Sequence, residues 1–484
     1  MEQESPSLQS QVPQATPTAP SNPGVSEAVP EFVSGAAQTA RPSGSFFSKI
    51  PMKIIAIVAV LLVIVLAVVF AASKFLGTSS QTAKTPTRQV NLVYWGLWEP
   101  NDVLTSVIKD FEGANPGVHI QYGQQSIKDY RERLQSAFAR GQGPDVFRFH
   151  NTWVPMLAQT GALSTLPANI MSNSTFEKTF YPVAAKDLKA GTGYVGVPLE
   201  FDGLSLFINK RMLADSGKSA PTTWEDLRVL ARSLTVRDAD GKIARAGVAL
   251  GSAKNVDHFS DILALLILQN GGNPGKPDDS AQLVPPALQF YTQFMLTDKV
   301  WDETLPNSTY AFATEKAAMV FAPSWRAFEM KQINPNFDFE VDPVPQLPGK
   351  PITWASYWAE GVSKTTKDQD VAWKFVTYMS SSDVLQKLYA DATAVRLFGE
   401  PYPRVDLAPK VASDPYVGAF ISQAPNAVSW YMASNTYDNG INDQIIKYYA
   451  DAINGLNSGK QLEEVMPTLS KGVPAVLAQY KIAP

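Results

Sequence analysis

No cysteine occurs among the 484 residues, and that absence excludes a disulfide framework, a thiolate metal site, a cysteine nucleophile and a lipid-modified cysteine anchor. Histidine is nearly as scarce: His119, His150 and His258 are the three present, and none stands at a metal-ligand spacing from another. Neither a nucleophile elbow nor a phosphate-cradling glycine loop appears. A basic surplus is also missing. Residues 1–89 carry 6 Lys/Arg and 4 Asp/Glu, which leaves 35 and 41 of the chain totals for residues 90–484, a net of about −6. Such a balance offers no surface for a polyanion, so nucleic acid is not an expected partner. No cofactor, no metal and no catalytic residue are expected.

What the chain has instead is size and apolar content. With 45% hydrophobic residues over 484 positions, two or three packing units can be filled. Residues 1–52, rich in Pro, Ser and Gln, cannot bury enough surface to offset ordering entropy and are expected to be a disordered tail. Residues 54–72 read IIAIVAVLLVIVLAVVFAA, nineteen apolar residues in a row; at ~1.5 Å rise each they match the hydrocarbon thickness of a bilayer. Residues 53–74 are therefore expected to be an uncleaved transmembrane anchor. A cleaved signal is the competing reading, because Val69-x-Ala71 suits a peptidase, but the apolar cores of such signals run to only about 7 to 15 residues. Residues 75–89 are a polar linker.

From Val90 the pattern alternates. Val90–Trp95 reads as a strand; Asn101–Gly113 as a helix with Leu104, Val107, Ile108 and Phe111 on one face; Val118–Tyr122 as a strand; Asp129–Arg140 as a helix; and Asp145–Phe149 as a strand. That order predicts an α/β parallel sheet with right-handed crossovers. Thr222 and Glu225 have capping-box spacing. Asp238-Ala-Asp240-Gly241 is read as a turn between strands, since the later ligands of a calcium loop are missing.

Residues 193–212, GYVGVPLEFDGLSLFINKRM, place Glu200 and Asp202 inside an apolar run, where a carboxylate needs donors or a ligand. Ligands of open α/β sheets gather beyond the carboxyl ends of strands. That rule nominates three loops: Trp95 to Glu99, His150 to Trp153, and the stretch with Glu200 and Asp202. Each joins an aromatic face to hydrogen-bonding groups, the pairing a pyranose needs for its C–H faces and its hydroxyl rim. Of ten tryptophans, Trp95, Trp98, Trp153, Trp325, Trp354, Trp358 and Trp430 fall in predicted loops or beside Gly, Pro or Ser, whereas Trp373 reads as core.

The motifs VNLVYWGLWEP, DFEGANPGVHIQY and GQGPDVFRFHNTW, followed by TTWEDLRVLARSL and the segments 322–325, 361–379 and 459–480, resemble in their order the extracellular solute-binding proteins of ABC importers, the sugar-binding group that includes maltose-binding protein. The resemblance spans residues 90–484 and implies a two-lobed, type II periplasmic-binding-protein-like fold, with lobe 1 about 90–200 and 360–405 and lobe 2 about 201–359 and 406–484. It implies crossings near 200, 358 and 406, and a cleft that closes on a sugar or oligosaccharide without breaking a bond. The ligand residues it implies are Trp95, Glu99, His150, Asn151, Trp153, Glu200, Asp202, Trp325, Tyr357, Trp358, Trp430 and Tyr431. Pro323-Ser324 stands where the family often has glycine. The partners implied are a carbohydrate and the permease subunits of a transporter, with a monomeric binding protein held by residues 54–72. Lys49 and Lys53 beside that run, and the export the resemblance implies for the large domain, set the N-terminus inside and the domain extracellular or periplasmic. Two other readings stay open: an anchored saccharide sensor or adhesin without a permease, and a saccharide-active enzyme using Glu200 with Asp202, about 6 to 7 Å apart at Cα on a strand.

Overall fold

The computed structural model describes residues 52–76, 88–279 and 281–484. The expected tail lies outside the described residues except for Met52, as do residues 77–87 of the expected linker. The chain divides into two units, residues 1–84 and 85–484.

In the first unit, α1 (Met52–Leu76) is one helix of 25 residues. Its side chains are described at 56–57 and 59–71, and the large apolar ones from Ile57 to Val69 are each more than half exposed. Among the described residues no helix is long and apolar enough to cross a membrane; residues 54, 55, 58 and 72 of the expected span are not among the described side chains.

The second unit is built on two sheets. Buried alternation makes β1 (Val90–Gly96), and the face Val103, Leu104, Val107, Ile108 and Phe111 makes α2 (Asn101–Ala114). Next come β2 (Val118–Gln124), α3 (Tyr130–Ala139) and β3 (Val146–His150). Gly117 and Gly141, at φ of 92° and 67°, take the left-handed turns that end the two helices. β1 lies parallel to β2 and to β3. The first sheet continues with β8 and β4, in the order β2-β1-β3-β8-β4, where β4 is Val197–Pro198 and β8 is Trp358–Val362. Those last two strands pair antiparallel. The expected parallel arrangement holds for β1, β2 and β3; β8, between β3 and β4, runs against both neighbours, because it enters the sheet on the chain's return from the second sheet rather than through a helical crossover.

The second sheet has the order β6-β5-β7, all antiparallel: β5 (Ser205–Asn209), β6 (Met319–Ala322) and β7 (Phe339–Asp342). Around the two sheets lie α4 (Phe259–Gln269), α5 (Arg326–Ile333), α6 (Ser382–Thr393) and α7 (Ile441–Asn457). β3, β5, β6 and β8 are buried along their whole length.

Two smaller expectations have clear outcomes. The cap of helix Trp224–Leu234 is Thr223, not Thr222: its Oγ1 accepts from the Asp226 backbone at 3.1 Å, because burying Trp224, Leu227 and Leu230 fixes the phase of the first turn. Asp238 does sit in a hairpin turn, its carboxylate accepting from the backbone of Asp240 and Lys242 at 3.0 and 2.9 Å.

Candidate binding cavity

The chain passes between the sheets side by side at two places. Gly203 bridges Ala355, and the Ser356 amide donates to the Asp202 carbonyl at 2.9 Å. A Cβ on Gly203 would stand 1.9 Å from the Trp354 carbonyl oxygen, so only glycine lets the strands touch there. Beside this crossing opens a cavity of about 550 Å³, within the ordinary size of a small-molecule site.

The wall on the first-sheet side is made of Trp98, His150, Ser356 and Trp358. β3–β8 register sets Trp358 opposite His150, and Trp358 meets Trp98, His150 and Trp153 edge to face with centroids 5.4, 5.1 and 5.2 Å apart. Burial pushes His150 down to about 3, so its ring is neutral. Its Nδ1 accepts from the Thr152 backbone, leaving Nε2–H to donate to Ser356 Oγ at 3.0 Å.

On the second-sheet side stand His258, Asp261, Trp325 and Phe328. Trp325 is 40% exposed, with the Arg326 guanidinium 4.3 Å over one face and the His258 edge 5.8 Å away. Arg326 donates to His258 Nε2 at 3.0 Å, which leaves Nδ1–H for Ser434 Oγ at 2.7 Å. Asp261 accepts from the Trp354 indole at 2.8 Å and from the Ser434 backbone.

Carboxyl groups line the crossings. Asp202 accepts from the Gly203 amide (2.7 Å), the Ser324 amide (3.1 Å) and Ser324 Oγ (2.8 Å); burial nonetheless raises it to about 7 against those donors. Glu200 accepts from the Trp358 amide at 3.1 Å, and burial together with the adjacent Glu400 holds its carboxyl well above the usual range. Burial works upward on Glu400 too, but the Arg396 guanidinium, 2.7 Å away, and the Glu200 carboxyl hold it below. The two adjacent carboxyls are thus pushed in opposite directions, Glu200 up and Glu400 down. Glu99 joins them, with carboxyl oxygens of all three within 4.8 Å of one another, the one cluster among the described residues that could hold a cation. Arg148 and Arg396 already answer two of those carboxylates.

Of the twelve residues the sequence singled out, the cavity brings together His150, Glu200, Asp202, Trp325 and Trp358. The other seven are not in its lining. Glu99 accepts from Arg148 Nη1 at 2.7 and 2.8 Å, and Arg148 Nε reaches Glu360 at 2.7 Å, a buried ion network. Asn151 and Tyr357 both donate to Asp187, at 2.8 and 3.1 Å. Trp153 is fully buried. Trp95 is partly buried and pairs with Phe147 across the sheet; Trp430 packs on Tyr431 and Gly275. Trp354, grouped with the loop tryptophans, is in a short strand and buried, its indole N–H satisfied by Asp261.

Residues missed by sequence reasoning are His258, Asp261, Arg396, Glu400 and Tyr437, all in the lining. The spacing of Arg396 and Glu400, a charged pair four residues apart, was the one available signal.

A family model described as bacterial extracellular solute-binding protein matches residues 98–386, more than half of the chain. The multiple sugar-binding protein of Streptococcus mutans is 25% identical over 337 residues, covering 66% of this chain and 78% of its own length. The maltotriose-binding protein of Pyrococcus abyssi is 23% identical over 349 residues, 68% and 70%. Among solved structures, a cyclo/maltodextrin-binding protein superposes with a TM-score of 0.67 at 17% identity, over 81% of this chain and 99% of its own. A solute-binding protein of an ABC transporter from Thermotoga lettingae does so at 0.62 and 22%, over 80% and 100%. These structural likenesses show the two-sheet α/β fold of that group. A match over residues 98–386 settles the family: the chain belongs to the bacterial extracellular solute-binding proteins.

Proposed function

We propose that the chain is the capture subunit of an ABC importer and that the 550 Å³ cavity holds a sugar or oligosaccharide. One observation carries this reading: the indoles of Trp98, Trp325 and Trp358 share one cavity lining with the carboxyls of Glu200, Asp202 and Glu400, the complement of a ring with apolar faces and a hydroxyl rim. The related proteins named for sugars and for maltotriose add support. Ligand contacts come from His150, Glu200, Asp202, Trp325 and Trp358, while Trp95, Glu99, Asn151, Trp153, Tyr357, Trp430 and Tyr431 hold the walls in place. Lobe 1 is about 90–200 with 360–405, lobe 2 about 201–359 with 406–484. A guest touching both lobes favours the closed form by its differential affinity, and closure is what the permease reads.

The protein is a monomer held at the membrane by residues 54–72, with its N-terminus cytoplasmic and its binding domain outside. The support is the nineteen-residue apolar run and the exposure of α1's apolar side chains, which water would not favour. A glycan array read by tryptophan fluorescence on the full chain tests the ligand class. Quenching by saccharides is expected; silence across the panel with a response to amino acids or peptides would overturn it.

A further inference from the structure

The segment Ser434–Gly440 is strained in a regular way. Asn435, Tyr437 and Asn439 all take the left-handed region, at φ of 58°, 51° and 43°, while Thr436 and Asp438 between them are buried. Asparagine tolerates that conformation; a tyrosine there is an outlier. The surroundings fix it. Asp438 accepts from the backbone of Gly440 and Asn442 at 2.9 and 3.2 Å. On one side Ser434 is tied to Asp261 and His258. On the other, Asn439 donates to Glu132 of α3 at 3.0 Å and Asn442 to Thr152 beyond β3 at 2.7 Å. The segment thus joins second-sheet helices to the first-sheet side across the cavity.

The fold gains little from the ring that this strain holds up. Tyr437 is 51% exposed, and its hydroxyl reaches only Asn435 Oδ1, at 3.5 Å, too long to count as a firm bond. Yet the ring lines the cavity. A side chain that both lines a cavity and stands half in solvent sits where that cavity opens. Strain kept at a position whose side chain does not support the core is the mark of a ligand clamp.

We propose that Tyr437 is a specificity-determining residue, a ring fixed at the opening of the cavity to grip the outermost unit of an oligosaccharide, so that longer saccharides are favoured over monosaccharides. The inference rests on the saccharide reading above. Its logic is that the side chain and the backbone conformation are at odds, and replacement by glycine separates them. Glycine removes the ring and relieves the left-handed backbone.

The experiment measures thermal unfolding and binding of glucose, maltose, maltotriose and maltotetraose, with mannose and mannotriose alongside, on the full chain in detergent. Tyr437→Gly is expected to unfold at the same temperature as the wild type or higher while losing tenfold or more in affinity for the tri- and tetrasaccharides it binds, with monosaccharide affinity within twofold. Tyr437→Asn, which suits the same backbone, repeats the loss, and Tyr437→Phe retains the affinity because the hydroxyl is uncommitted. A lowered unfolding temperature in both Tyr437→Gly and Tyr437→Asn would overturn the inference, since the ring would then be holding the fold. Unchanged oligosaccharide affinity in Tyr437→Gly and Tyr437→Asn where the wild type binds them, or a wild type restricted to monosaccharides, would overturn it and leave the saccharide reading standing. A wild type that binds no member of the panel overturns both.

Discussion

On the first-sheet side of the cavity an ion network of Glu99, Arg148 and Glu360 lies behind the lining and answers itself, whereas on the second-sheet side a half-open indole and hydrogen-bonded rings face the space directly. Behind the first wall, Arg148 bridges Glu99 and Glu360, and Tyr94 adds its hydroxyl to Glu360 at 2.8 Å. Across from it, Trp325 lies under Arg326 and beside His258 and is still 40% exposed. The first arrangement fixes a backbone, because a buried ion network tolerates only one geometry. The second presents surface. A binding protein needs both: one wall that does not yield and another that offers contact area to a guest.

The hardest way to break that comparison is to empty the network. Arg148→Met leaves Glu99 and Glu360 facing one another without a cation in a site where Arg148 is 2% exposed. The expected loss is about 3 to 5 kcal/mol of folding stability, read from denaturant midpoints. A loss below about 1 kcal/mol, the scale of an exposed pair, would mean that the network is dispensable. Gly203→Ala attacks the crossing that holds the two walls in register. The added methyl meets the Trp354 carbonyl oxygen, and overpacking against backbone should cost up to about 3 kcal/mol. An unchanged unfolding temperature would show that the crossing can shift.

Trp325→Ala sharpens the comparison from the other side. The ring is 40% exposed, so stability should hardly move, while saccharide affinity falls by on the order of 2 kcal/mol. Asp202→Ala should weaken binding by a similar amount, on the order of 2 kcal/mol. If Trp325→Ala unfolds the protein and leaves binding intact, the second wall is scaffold like the first.

How much of this was legible in the chain depends on distance along it. The strands and helices from Val90 to His150 carry their own periodicity, and each was readable to within a residue or two because burial repeats locally. The conflict at Glu200 and Asp202 was readable for the same reason: a charge in an apolar run must be answered. What answers it was not. Glu400 meets Glu200 across two hundred positions, and nothing near either residue announces the other. Glu99 looked like a ligand group because its local company is tryptophan, but its partner is Arg148, 49 residues on. Trp354 was grouped with the loop tryptophans, yet it is buried in a short strand with its indole N–H bound by an aspartate 93 residues earlier. Loop tryptophans share one signature whether they stack on a guest or on the core, so the sequence could gather them without sorting them.

The smallest effect concerns Asp202, the one cavity carboxyl held by three donors and still raised, to about 7, because burial outweighs them. In the unfolded chain the same group titrates near ~3.9. The folded protein therefore binds this proton more tightly, and the stability it contributes is fully present below about pH 4 and lost as pH rises through about 7, with a slope of at most ~1.4 kcal/mol per pH unit. Glu200 acts in the same direction and Glu400 in the opposite one, so the wild-type curve alone cannot isolate Asp202. The difference between wild type and Asp202→Asn can, since asparagine keeps an acceptor for the Gly203 and Ser324 amides and cannot ionise. Denaturant midpoints taken from pH 4 to 8 should show the wild type losing stability relative to Asp202→Asn up to about pH 7 and running parallel above it. Parallel curves throughout would mean that the Ser324 and Gly203 donors offset burial, and that this carboxyl meets its ligand as an anion over the whole range.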